Sequence, residues 1–239
     1  MSKRTFLSML FAILFFIELF LLFFLSKQVT KRLSLWLYHL TRSRTKTIFI
    51  LAFLFLPGTF LHELAHAFMA MILFVPVGKM ELIPKIQEDG YVKLGSVAIG
   101  RTDFFRRFLI GIAPLLIGTT ILLFLLFYAA THDLFTHYTY LLIVLYCVFE
   151  IGNTMFSSKK DMEGALELLL TCCFAAVVAF ILGARIPLNS LQQFFERDSI
   201  IQMFYYGNLF LLIPIVINII CIGVLHVITS YKKNSHPHG

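Results

Sequence analysis

Two histidines four residues apart, with a glutamate directly after the first, stand inside an apolar run: His62-Glu63-Leu64-Ala65-His66 within Ile48–Val75. In a helix, residues i and i+4 share a face one turn apart, so both imidazoles can grip one metal ion. Glu63 is placed beside them to act as general base on water activated by that metal. A charged side chain at mid-bilayer costs about 2.5–3.5 kcal/mol on insertion scales. Three ionisable residues within five positions of an apolar run therefore demand a functional explanation.

Two histidines leave a catalytic zinc ion short, since such sites use three protein ligands and keep one position open. Asp161, in Asn153-Thr-Met-Phe-Ser-Ser-Lys-Lys-Asp161-Met-Glu163-Gly164, is the strongest third ligand. Counting Lys and Arg puts it on the cytoplasmic side, the side toward which the two histidines also lie in the later half of their span. Ser158-x-x-Asp161 ahead of an apolar run is also a helix-capping pattern, so both readings stay open. Glu163 and Glu167 are the fallback ligands, one and two helical steps further on.

The elements that must carry these residues are membrane helices. The chain has 239 residues, 59% of them hydrophobic and 14% charged, with a mean hydropathy of +0.86. A soluble domain of this size needs far more polar surface. The net charge of +7 does not imply nucleic acid, because the basic residues flank apolar runs in the pattern that orients membrane proteins. The four cysteines lie within or beside apolar stretches with no zinc-type spacing.

A span needs about 20 apolar residues. Six stretches meet this: Phe6–Leu25, Ile48–Val75, Phe108–Ala130, Tyr138–Phe156, Gly164–Leu182 and Tyr205–Thr229. The expected architecture is an all-α polytopic membrane protein of about six transmembrane helices with a small membrane-associated β element. Residues 1–47 hold the first span and a basic linker, 48–182 the membrane core, and 183–239 a loop, the last span and a polar tail. Pro57-Gly58 predicts a kink or break, because proline removes a backbone donor and disrupts the preceding turn. Within 76–100, Val77–Ile83 and Tyr91–Ile99 alternate polar and apolar residues around Asp89-Gly90, a hairpin turn signal.

Counting Lys and Arg places 76–107, 157–162 and both termini on the cytoplasmic side. Residues 27–46 conflict with this: they carry six basic residues yet fall outside if all six stretches cross. An interfacial amphipathic helix anchored by Trp36 and Tyr38 would resolve the conflict. So would an incomplete crossing by one of the first two stretches.

On these residues the chain resembles the site-2 protease-type intramembrane zinc metalloproteases. It offers Phe60-Leu61-His62-Glu63-Leu64-Ala65-His66-Ala67 for the metal motif and 76–100 for the β region. Asn153 and Asp161, eight residues apart, match the family spacing for the later segment. The likeness covers about 48–182. It implies that His62, His66 and Asp161 hold Zn2+ and that Glu63 is the general base. It implies that Asn153 binds substrate backbone or the developing oxyanion. A hydrogen bond between helices is the other reading of Asn153. The implied activity is endopeptidase action on membrane-protein substrates at the cytoplasmic side of a membrane, by expectation a prokaryotic inner membrane. A non-proteolytic metal-binding adaptor or transport component is the alternative.

Overall fold

The computed structural model describes the whole chain except residues 1, 87–91, 94, 157–160, 162–169, 172, 175–176, 179–180, 182–187 and 235–239. The first helix, α1, spans Lys3–Thr41. The Ser2 side chain caps it by accepting the Thr5 N–H, and Arg42 ends it in a left-handed conformation at φ 52°. No proline or glycine interrupts these 39 residues, so nothing breaks the helix at the basic positions. At 1.5 Å per residue α1 is about 58 Å long, nearly twice a hydrocarbon core. Residues 27–41 thus continue α1 and do not form the separate surface helix that the charge conflict suggests.

Helices α2 (Arg44–Leu54) and α3 (Leu56–Ile72) form one apolar unit bent by 68°. The break falls where Pro57 predicts it, and Pro57 sits in the first turn of α3, where a missing N–H costs nothing. In an unbroken helix the Gly58 N–H would meet the Leu54 carbonyl. Here each finds a different partner. The Gly58 N–H donates to Glu150 Oε2 at 3.1 Å, and the Tyr146 hydroxyl donates to the Leu54 carbonyl at 3.1 Å.

The β region is real and has two layers of pairing. Strands β1 (Val77–Glu81) and β4 (Ser96–Ile99) pair antiparallel, with Val77 opposite Ile99 and Glu81 opposite Ser96. Between them β2 (Lys85–Ile86) pairs with β3 (Val92–Lys93). The Asp89-Gly90 turn lies outside the described residues. The sheet packs on α3 and leads into α4 (Phe104–Thr131). Asp103 caps α4 by accepting the Arg106 backbone N–H at 3.0 Å, a bond that holds its carboxyl below the usual carboxylate range. A 3-10 turn, Leu134–Thr136, joins α4 to α5 (Tyr138–Thr154). Later come α6 (Leu188–Phe195) and α7 (Asp198–Asn234).

Among the described residues three helices are long and apolar enough to cross a membrane: α1, α4 and α7. The bent α2–α3 pair makes a fourth if it counts as one span, and α5 is a shorter apolar helix. The expected span Gly164–Leu182 lies largely outside the described residues. Side chains from four helices meet in the core: Leu22 of α1, Leu122 and Leu126 of α4, Val148 and Ile151 of α5, and Leu211 of α7. On the outer surface, Phe20, Phe53, Phe124, Leu142 and Ile219 are exposed, as lipid-facing positions require.

The terminal helices run in the same direction. Arg4 pairs with Asp198 at 3.2 Å, the Asn208 amide donates to the Phe11 carbonyl at 3.0 Å, and Arg32 lies 3.3 Å from His226. Six alternating crossings would make the first and last spans antiparallel. The described chain instead puts Ser2 with Asp198 at one end and Thr41 with Asn234 at the other. Ser2 and Asn234 thus stand at opposite ends of this helix pair, where an antiparallel pair would bring them to one end, and both ends carry basic residues. In a cysteine-free background, cysteines at Ser2 and Ser199 should react with an impermeant thiol reagent from one face, and one at Thr45 from the opposite face. Labelling of Ser199→Cys and Thr45→Cys from the same face would contradict the parallel arrangement.

Candidate metal centre

His62 and His66 lie one turn apart on α3, as their spacing requires, and Asp161 closes on them from the segment after α5. The ligand atoms of His62, His66 and Asp161 all lie within 4.8 Å of one another. The two Nε2 atoms are 3.2 Å apart, and each also faces a carboxylate oxygen. His62 Nε2 is 3.8 Å from Asp161 Oδ2, and His66 Nε2 is 3.7 Å from Asp161 Oδ1.

The other ring nitrogens decide what this cluster can do. His62 Nδ1 lies 2.7 Å from the Thr154 carbonyl, and His66 Nδ1 lies 2.8 Å from the Ile110 carbonyl. A carbonyl oxygen only accepts, so both Nδ1 atoms carry the proton and donate. In its neutral form each ring then turns its Nε2 lone pair toward the other ring and toward a carboxylate. Such a set of acceptors is unfavourable unless a cation sits among them. Tetrahedral ligands about 2.0–2.1 Å from a zinc ion stand about 3.3–3.4 Å apart. The Nε2 pair matches that spacing and the carboxylate oxygens sit slightly beyond it. The residues therefore fit a zinc ion, with Nδ1–carbonyl bonds of the kind that orient metal-binding histidines.

Both carbonyls are free to do this for a backbone reason. Pro114 lies inside α4. Having no N–H, it cannot bond the carbonyl four residues earlier, which is Ile110. Thr154 is the last residue of α5, where helix carbonyls lack intrahelical partners. The link from Pro114 through Ile110 to His66 had a sequence signal, the proline four residues after Ile110. Only the packing of α4 on α3 shows which histidine it serves.

Glycines admit the segment that carries Asp161. A Cβ on Gly111 of α4 would land on the Asp161 carbonyl, and one on Gly118 would lie 2.5 Å from Met155 Cβ. Glu63 is buried beside His62. Gly95, just before β4, lies directly over it: a Cβ there would be 2.7 Å from Thr59 Cγ2 and 3.4 Å from Glu63 Oε1. The sheet thus begins against the candidate base.

Asn153 stands one residue before Thr154 and points its amide elsewhere. Its Nδ2 donates to the Phe149 carbonyl at 2.7 Å and to Asn218 Oδ1 of α7 at 3.0 Å. These are the bonds of the helix-to-helix reading. The fallback ligands Glu163 and Glu167 lie outside the described residues. Glu18 is buried in α1 and does not belong to the converging group.

No family model matches the chain, and neither a curated protein nor a solved structure does.

Pro114→Ala supplies an N–H that competes with His66 for the Ile110 carbonyl. Zinc affinity should fall about 10-fold, in the lower range for loss of such orienting bonds. The melting temperature should stay level or rise, because a helix-interior proline is removed. Unchanged affinity, measured by competition with a chromogenic chelator, would count against the orienting role.

Proposed function

We propose that this chain is a membrane-embedded zinc metallopeptidase that hydrolyses peptide bonds in or near transmembrane segments of other membrane proteins. The observation that carries this reading is the convergence of His62 Nε2, His66 Nε2 and the Asp161 carboxylate next to buried Glu63. His62, His66 and Asp161 would hold the ion. A zinc ion in such a site supplies Lewis-acid chemistry and makes water nucleophilic near neutral pH.

The chain's own residues do the rest. Glu63 takes the proton from the attacking water as the C–O bond forms at the scissile carbonyl. It returns that proton to the amine nitrogen as the C–N bond breaks. A metal site with only a structural role has no use for this carboxylate. Burial of His66 and Glu63 limits access of bulk water and strengthens electrostatic interactions around the reacting carbonyl.

A peptide bond in a transmembrane helix is shielded by its own hydrogen bonds and must be unwound before attack. Among the described residues sheet β1–β4 has two strands, and a third could add at an outer edge. Adding a substrate strand there would satisfy the freed backbone and hold it extended. Gly95 supports this placement, because it brings the start of β4 onto Glu63. The six Lys and Arg of 76–107 support a cytoplasmic position for this end.

Glu63→Gln should retain zinc at wild-type stoichiometry and lose cleavage of transmembrane peptides by about 10²–10⁴-fold, the usual share of a general base. Metal analysis and mass spectrometry of the peptide products read both quantities. Zinc in neither protein, or equal cleavage by both, would refute the peptidase reading.

A further inference from the structure

Three hydrogen bonds join the α2–α3 unit to α5, and they form a ladder in register. Leu54, Gly58 and His62 follow one another at intervals of four. Their partners Tyr146, Glu150 and Thr154 do the same, and each pair is separated by 92 residues. The two chains therefore run parallel along this contact, one helical turn per rung. Each rung uses a different chemistry: hydroxyl to carbonyl at 3.1 Å, backbone N–H to carboxylate at 3.1 Å, and imidazole N–H to carbonyl at 2.7 Å.

The middle rung sets the other two. Gly58 lies in the first turn of α3, where backbone N–H groups lack partners and the helix dipole favours an anion. Glu150 Oε2 meets the first need from the facing helix by accepting the Gly58 N–H. The approach is close enough that a Cβ on Gly58 would lie 2.5 Å from Thr154 Oγ1 and 2.9 Å from the Glu150 carbonyl. The Thr154 hydroxyl donates back to the Glu150 carbonyl at 2.7 Å, which ties the last turn of α5 at the level of His62. Glu150 is 2% exposed. A buried carboxylate in an apolar helix is expensive, so a role that needs an acceptor at this depth is required.

We propose that Glu150 is a positioning residue for the metal centre. By holding the Gly58 N–H it fixes the register of α3 against α5. That register makes the His62–Thr154 bond and aims His62 Nε2 at His66 and Asp161. This role rests on the reading that the three residues bind a metal. One turn of slip along α5 would move His62 by about 5.4 Å, farther than the spacing of the ligand atoms allows.

The test uses the full chain in detergent micelles, titrated with Co2+ as a coloured substitute for zinc. Glu150→Asp keeps the carboxyl group but withdraws it by one methylene from Gly58. Glu150→Gln keeps an acceptor at full length. Glu150→Asp should lower Co2+ affinity 10–100-fold and weaken the intense visible absorption of four-coordinate Co2+. Glu150→Gln should stay within about threefold of wild type, and Tyr146→Phe, which removes only the outer rung, should do the same. Helical circular dichroism and monodisperse elution show that each variant is folded. A folded Glu150→Asp with wild-type affinity and spectrum overturns the role of Glu150 alone. So does a Glu150→Gln as impaired as Glu150→Asp. A wild type that takes up no Co2+, or no more than His62→Ala does, overturns the metal reading and this role with it.

Discussion

In an apolar surround every backbone N–H and C=O must find a partner, and this constraint organises the centre of the molecule. Three interruptions of regular helix hydrogen bonding border the candidate metal centre: the α2–α3 break, Pro114 in α4 and the end of α5 at Thr154. Each interruption frees a polar group, and each freed group described above is taken by a side chain from another helix. Two of the takers are the histidines of the H-E-x-x-H motif. The irregularities that would weaken an isolated helix are thus the fixtures that orient the candidate ligands.

Close approach makes those exchanges possible. Gly58, Gly95, Gly111 and Gly118 stand where a methyl group would meet Thr154, Thr59, Asp161 or Met155. Without a hydrophobic driving force between helices in lipid, van der Waals packing at small residues and a few polar contacts must hold the bundle. Asn153 and Asn218 supply one such contact between α5 and α7. Leu22, Leu122, Leu126 and Leu211 contribute fully buried side chains to the common core of the bundle.

Much of the candidate site was legible before any coordinates. The spacing of His62 and His66 follows from helix geometry alone. Pro57 announced the bend, because a missing N–H is a local property of one residue. The β region showed itself through polar–apolar alternation. Asp161 was readable only as one of two roles, because a carboxylate before an apolar run suits a helix cap and a ligand equally. The geometry brings it to the histidines, and what remained hidden was relational. That Ile110 serves His66, that Asn153 reaches Asn218, and that α7 runs parallel to α1 all depend on which helices become neighbours. Composition and period carry no information on that. Six alternating crossings would set the first and last spans antiparallel, whereas α1 continues unbroken through its basic residues and α7 runs in the direction of α1.

The parallel seam between α1 and α7 also bears on how the molecule is made. Its polar contacts join residues 191 to 197 positions apart in the chain. During synthesis α1 emerges well before α7, the helix it packs against most extensively. The motif helix, the sheet, α4 and α5 are all complete in the interval. The residues of the candidate metal centre are thus all synthesised before the α1–α7 seam can close.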